Sequence, residues 1–243
     1  MKKFYIKLYY ANDIFLIILL SVIIIFTTTL GVLFEKNTPY RQVAISECSR
    51  SIIVIDAGHG GEDSGAVSAS GILEKDVNLL IAKEIGRLLT EKGFSVVYTR
   101  TEDKLLYSEE QNVKGLRKIN DLKNRCSIAN AYPDSIFISI HCNSFSMPKY
   151  SGLQVYYSYL EESRSLANTI QERVRADIQP DNNRRVKEGD NIYLMENVIT
   201  TAVLIECGFL SNEEESKRLW EKEYQNRLSF SIVCGIIEYI ENQ

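Results

Sequence analysis

From residue 51 onward, short β-branched runs alternate with longer segments whose apolar residues recur at helical spacing. The first run, residues 51–55, ends at a glycine-rich turn, as is typical of a strand buried on both faces. Residues 73–92 then place apolar side chains three or four positions apart. Parallel strands need a crossover connection, which is usually a helix. The alternation therefore predicts a single α/β domain with a mainly parallel central sheet flanked by helices.

The same patterns predict the remaining elements along the chain. Strands are expected over residues 51–55, 94–99, 135–141, 152–157 and 202–206, and helices over residues 73–92, 119–131, 161–178 and 224–240. In open α/β sheets the working site lies where strands end. Polar side chains at those positions are therefore the first candidates for chemistry.

The N-terminal region has a different character from the rest of the chain. Residues 14–34 form a run of 21 residues without a charged side chain, long enough as a helix to span about 30 Å of hydrocarbon. This run exceeds the apolar core of an ordinary cleaved signal peptide, so we expect an anchor that is retained. Lysines precede it, and the positive-inside rule keeps them in the cytoplasm. The predicted organisation is a cytoplasmic N-terminus at residues 1–13, a transmembrane anchor at 14–34, a linker at 35–50 and a globular domain outside the cytoplasm at 51–243.

The charge of the chain is unevenly distributed. Residues 1–50 contain six Lys or Arg and three acidic residues, so the remaining 193 residues carry a formal net charge of -7. Binding nucleic acid through its phosphates requires a basic face on the protein. The acidic body therefore argues against a nucleic-acid partner.

Both histidines of the chain stand at predicted strand ends. His59 follows the first strand in a glycine-rich turn, and His141 ends the third. Two imidazoles supply half of a zinc site, and a catalytic zinc ion typically takes a third protein ligand plus water. Glu74, at the predicted start of a helix, is the best third candidate. The alternative is that Glu74 merely complements the helix dipole, a role that Asp76 could also fill.

A fourth candidate, Glu206, directly follows the apolar residues 203–205. A buried, unpaired carboxylate would cost several kcal/mol, so Glu206 is expected at the mouth of the strand or facing a cation. Either position suits a general base, and the alternative is a carboxylate that caps the next turn. Because side chains alternate along strands, Cys142 and Cys207 should point to the opposite face. We therefore exclude them as ligands and expect the five cysteines to be free thiols.

Taken together, four segments resemble the ordered motifs of the zinc-dependent N-acetylmuramoyl-L-alanine amidases. They are IDAGHGG at residues 55–61, LEKD at 73–76, ISIHCN at 138–143 and LIECGFLSN at 204–212. The resemblance covers about residues 51–241. It implies that His59, Glu74 and His141 bind Zn²⁺ and that Glu206 is the catalytic carboxylate. The implied substrate is peptidoglycan, cut at the amide between the lactyl group of muramic acid and L-alanine.

Within this family, the predicted anchor and the long segment 105–125 are similar to those of spore-cortex amidases. That likeness implies a role in forming muramic-δ-lactam and in germination, with the catalytic domain in the cell envelope, in the forespore intermembrane space. An accessory protein would not be visible in the sequence.

Three further residues are candidates for orienting the histidines or binding substrate: Asp56, Asn143 and Arg184. Asp56 could equally be a structural residue of the glycine-rich turn that follows it. Next to the last of them, Arg185 stands where many family members have glycine. Two alternatives stay open on the residues alone. One is a membrane-tethered wall-binding module without turnover, and the other is a zinc peptidase that cuts within the peptide stem.

Overall fold

The structure, a computed structural model, describes residues 52–243. The predicted cytoplasmic segment, anchor and linker therefore lie outside the described residues. Within residues 52–243, no helix combines the length and the apolar character that a membrane span requires.

A six-stranded sheet forms the centre of the described domain. Its strands are β1 (Ile52–Ala57), β2 (Ser95–Tyr98), β3 (Ile136–Asn143), β4 (Gln154–Tyr157), β5 (Lys187–Glu188) and β6 (Thr201–Phe209). They are ordered β2-β1-β3-β6-β4-β5. The first four in this order are parallel, whereas β4 runs antiparallel to β6 and parallel to β5. The prediction of a mainly parallel sheet is confirmed.

Helices cover both faces of the sheet. They are α1 (Glu74–Glu91), α2 (Arg117–Asn130), α3 (Glu161–Ile178), α4 (Tyr193–Asn197), α5 (Glu213–Trp220) and α6 (Lys222–Glu241), with a 3-10 turn at Glu109–Gln111. Alternation along β1 sends Ile53 and Ile55 into a core shared with α1, α3 and α6. The intervening Val54 packs in a second core with residues of α2 and α4. Burial on both faces explains why β1 is continuously apolar.

Several short elements escape sequence analysis. The two-residue strand β5 and the five-residue helix α4 are too short to show a period. Helix α5 is preceded by Asn212, whose side chain accepts a hydrogen bond from the Glu215 backbone N–H at 2.9 Å. Strand β6 extends to Phe209, beyond the predicted end at residue 206, because Phe209 still pairs with Asn143 at the end of β3. These differences leave the predicted architecture unchanged.

Candidate metal centre and active site

The sheet register brings the predicted site residues of β3 and β6 side by side. His141 is the direct partner of Glu206 in the parallel pairing of these two strands. On the other side of β3, the Gly58 backbone N–H donates to the Ile140 carbonyl at 3.0 Å. A Cβ atom at Gly58 would collide with the His141 imidazole, so only glycine fits there. His59 follows with a positive φ of 61°, which turns its side chain toward the same place.

His59, Glu74 and His141, the candidate metal-ligand group, converge on one point. Glu74 Oε1 lies 3.1 Å from His59 Nε2 and 3.0 Å from His141 Nδ1. The donor atoms of all three residues lie within 4.8 Å of one another. Ligand atoms in a tetrahedral zinc site are separated by roughly 3.3 Å, given bonds of about 2.0–2.1 Å. The two imidazoles and one carboxylate therefore fit a divalent metal ion of the zinc type.

Glu74 is the first residue of α1, and backbone N–H groups hold its carboxylate in position. Its Oε2 atom accepts the Ala66 backbone N–H at 2.8 Å, and its Oε1 atom accepts the Cys142 N–H at 3.1 Å. Burial by itself would raise the pKa of Glu74, but hydrogen bonds from His141 and His59 hold it below its ordinary value. Glu74 is thus ionised and faces the imidazoles, as a metal ligand must.

The structure adds Asp63, which sequence analysis missed. Asp63 Oδ2 lies 2.8 Å from His59 Nδ1 and 3.1 Å from Lys118 Nζ. Metal-binding histidines commonly use their second ring nitrogen in this way, because a carboxylate there fixes the tautomer and the ring orientation. Asp63 lies four residues after His59 in the same turn, and this short spacing was the signal available in the sequence.

Asp56, which we considered as an orienting group, is fully buried beneath the site. It accepts hydrogen bonds of 2.6 Å each from Thr99, Arg125 and Ser139, and makes none to either imidazole. Arg125 in turn donates to the His59 carbonyl at 2.7 Å. Although burial opposes ionisation, the Arg125 guanidinium holds the pKa of Asp56 below its usual value. Asp56 therefore supports the His59 turn through Arg125.

Glu206 has the environment expected of a proton-transfer group. Its Oε2 atom is enclosed and has no hydrogen-bond partner within residues 52–243. Burial raises the pKa of Glu206 to about 7, against the opposing charge of His141. A carboxyl group with such a pKa can accept and release a proton near neutral pH. A carboxylate that caps a turn accepts hydrogen bonds from backbone N–H groups, and Glu206 Oε2 accepts none from the described residues. The alternative role of Glu206 as a turn cap is therefore not supported.

The neighbouring cysteines take no part in this site. Cys142 and Cys207 are buried in the core shared with α1, α3 and α6. Burial raises the pKa of both thiols well above the ordinary value. Both are free, as are Cys126 and Cys234, the other two cysteines in the described part of the chain.

The other two candidates lie further along the same edge of the sheet. Asn143 ends β3, and its carbonyl accepts the Leu210 N–H at 2.8 Å. Arg184 donates from Nη1 to Gln154 Oε1 at 3.2 Å, and its guanidinium lies 4.4 Å from the centre of the Phe209 ring. Gln154 is the antiparallel partner of Glu206. Arg184 therefore lies one strand beyond the carboxylate that faces the metal-ligand group.

Known proteins are similar to this chain in both sequence and fold. The N-acetylmuramoyl-L-alanine amidase family model matches residues 53–238. The germination-specific N-acetylmuramoyl-L-alanine amidase of Bacillus subtilis is 39% identical over 207 residues, which are 85% of this chain and 86% of that protein.

Solved structures agree with this match. CwlD amidase from Clostridioides difficile, solved in complex with the GerS lipoprotein, is 39% identical with a TM-score of 0.76 over 79% of this chain and 100% of that one. The amidase AmiC2 of Nostoc punctiforme is 31% identical with a TM-score of 0.68 over 79% and 98% of the two chains. The family match spans most of the chain and includes every residue of the metal-ligand group. The chain belongs to the N-acetylmuramoyl-L-alanine amidase family.

Proposed function

We propose that this protein is a zinc-dependent N-acetylmuramoyl-L-alanine amidase that hydrolyses the bond between the lactyl group of muramic acid and L-alanine in peptidoglycan. One observation carries the proposal. Three donors suited to zinc converge beside Glu206, whose enclosed oxygen has no partner within residues 52–243. A module that only bound the cell wall would need no such carboxyl group next to a metal centre.

The site residues have two separate roles in the proposed reaction, namely metal binding and proton transfer. His59, Glu74 and His141 would hold zinc, which when bound supplies Lewis acidity toward the amide carbonyl and toward water. Glu206 accepts a proton from the attacking water and returns it to the nitrogen of L-alanine as the C–N bond breaks.

Analysis of digestion products separates this reaction from the alternatives. Purified protein, loaded with zinc and incubated with peptidoglycan, should release intact stem peptides with a free L-alanine amine and leave muramic acid with a free lactyl carboxylate. Mass spectrometry of the muropeptides measures both products. Fragments cut within the stem would instead identify a peptidase, and binding without new amines would identify a wall-binding module.

We also propose a spore-cortex role, in which cleavage prepares muramic acid for conversion to muramic-δ-lactam. The likeness to the germination-specific amidase of B. subtilis supports it. The complex of C. difficile CwlD with the GerS lipoprotein supports the expectation that an accessory protein assists this chain. Loss of muramic-δ-lactam from the cortex of a deletion strain, restored by the intact gene, is the expected result. Unchanged lactam content would exclude the role.

For topology, we propose that residues 14–34 anchor the chain in the membrane, with the catalytic domain outside the cytoplasm. The uncharged run and the lysines before it support this arrangement. Protease added to intact protoplasts that produce the protein should digest the domain, while a cytoplasmic marker survives. Protection of the domain until the membrane is lysed would contradict the proposed orientation.

A further inference from the structure

A row of side chains crosses the sheet from the metal-ligand group to Arg184. His141 and Gln154 are the direct partners of Glu206 on its two sides. Residues directly opposed in neighbouring strands present their side chains on the same face, about 5 Å apart. Arg184 donates to Gln154 Oε1 and so continues the row. The guanidinium is therefore the first cationic side chain along this row beyond Glu206.

The guanidinium of Arg184 is held in place by hydrogen bonds to neutral oxygen atoms, with the Glu215 carboxylate near enough to interact with its charge. Its Nε atom donates to the Ser151 carbonyl at 2.8 Å, and its planar group lies against the Phe209 ring. None of the ion pairs formed within residues 52–243 involves Arg184, and over the same residues its Nη2 atom has no hydrogen-bond partner. A fixed guanidinium with unused donors is well arranged to bind a carboxylate.

The space beside Arg184 is large enough for a peptide. A cleft of about 590 Å³ is lined by the cationic Arg184 and Lys149 and by Tyr150, together with the carboxyl residues Asp181 and Glu215. Tyr150 contacts Phe145 edge to face, with 5.3 Å between the ring centres, and Phe145 is a half-exposed side chain that follows the end of β3. The cleft thus has an aromatic wall and cationic side chains, and it meets the row of side chains at Arg184.

The chemistry of the proposed substrate limits which of its anionic groups could bind Arg184. In N-acetylmuramoyl-L-alanine the lactyl carboxyl group is consumed in the bond to be cut, and the sugars are neutral. The carboxylates near the bond therefore belong to the stem peptide. Its second residue, D-glutamate, continues the stem through its γ-carboxyl group, so its α-carboxylate is either free or amidated. One residue spans at most about 3.3–3.6 Å, so this group lies within about 7 Å of the scissile bond along the stem. That length is comparable with the step of one strand from Glu206 to Gln154, to which Arg184 donates.

We propose that Arg184 binds the free α-carboxylate of the second stem residue and makes the enzyme select stems that carry D-glutamate over stems that carry D-isoglutamine. This inference rests on the proposed amidase function and adds a specificity-determining residue to it. Replacing the carboxylate by an amide removes the charge that the guanidinium recognises. Charge-assisted hydrogen bonds contribute about 1.5–3 kcal/mol, which corresponds to a preference of roughly 10- to 100-fold.

Two substrates that differ only in this group test the proposal. They are N-acetylmuramoyl-L-alanyl-γ-D-glutamyl-L-lysine and its α-amidated counterpart N-acetylmuramoyl-L-alanyl-D-isoglutaminyl-L-lysine, in both of which the γ-carboxyl group is bonded to lysine. The zinc-loaded protein should hydrolyse the first with a kcat/KM roughly 10- to 100-fold above the second. The variant Arg184→Gln should lose this preference. Arg185→Gln removes the same charge from the exposed neighbouring residue and should retain it.

Binding measurements separate this proposal from the amidase function. Calorimetry with zinc-loaded Glu206→Gln should show tighter binding of the D-glutamate compound, and adding Arg184→Gln should abolish the difference. A binding preference without hydrolysis by the unmodified protein would support the subsite and contradict the proposed reaction. Equal hydrolysis of both compounds would overturn the subsite and leave the amidase function intact. A preference that survives in Arg184→Gln would also overturn the proposed subsite. The comparison of the two substrates uses the unmodified protein, so it does not depend on the folding of any variant.

Discussion

Replacing Glu206 by glutamine should reduce amide hydrolysis by about 100- to 10,000-fold while leaving the fold and the metal content unchanged. Glutamine keeps the shape of the side chain but cannot accept the proton of the attacking water. The metal-ligand group should persist, because Glu74 lies between the two imidazoles and does not depend on Glu206 for its position. Release of L-alanine amines from peptidoglycan measures turnover, and elemental analysis measures zinc.

The matched control for this variant is Glu162→Gln, on the exposed first turn of α3. It makes the same chemical change at an exposed residue that is not part of the candidate site. Turnover should therefore remain near that of the unmodified protein. Undiminished hydrolysis by Glu206→Gln would rule out Glu206 as the proton-transfer group. A loss of bound zinc in that variant would instead mean that Glu206 helps to hold the metal.

Replacing one of the three proposed zinc ligands should reduce amide hydrolysis by a similar factor, because the protein loses its metal ion. Purified protein should hold about one zinc ion per chain, as a site with three protein ligands predicts. Either His141→Ala or Glu74→Gln removes one donor, so zinc content after dialysis should fall close to zero and hydrolysis should be lost. In the unmodified protein, a chelator should abolish hydrolysis and added zinc should restore it.

Asp76→Asn is the control for the Glu74 variant, because both residues lie in the first turn of α1. It removes a carboxylate from the same helix end, where only the interaction with the helix dipole would be affected. Zinc content and turnover should be retained. If Asp76→Asn and Glu74→Gln behaved alike, Glu74 would act through the helix and not as a ligand. If the unmodified protein bound no zinc, the proposed metal site would be contradicted.

Much of the fold followed from local patterns in the sequence. The β-branched run before His59 and the apolar spacing after Glu74 each reflect how one element buries its surface, so a strand and a helix were predictable there. The same patterns placed both histidines at strand ends, where functional groups gather in α/β proteins. Cys142 and Cys207 were correctly assigned to the core, because alternation along a strand is a local rule.

What the sequence by itself determined is the kind of elements, their order and the residue types available for zinc chemistry. Tertiary structure decided which side chains meet. Asp63 contacts His59 while Asp56 binds Arg125, although both acids lie within four residues of that histidine. The antiparallel placement of β4 brings Gln154, and with it Arg184, next to Glu206. Such contacts depend on strand order and on the packing of residues distant in sequence, which periodicity along one segment does not encode.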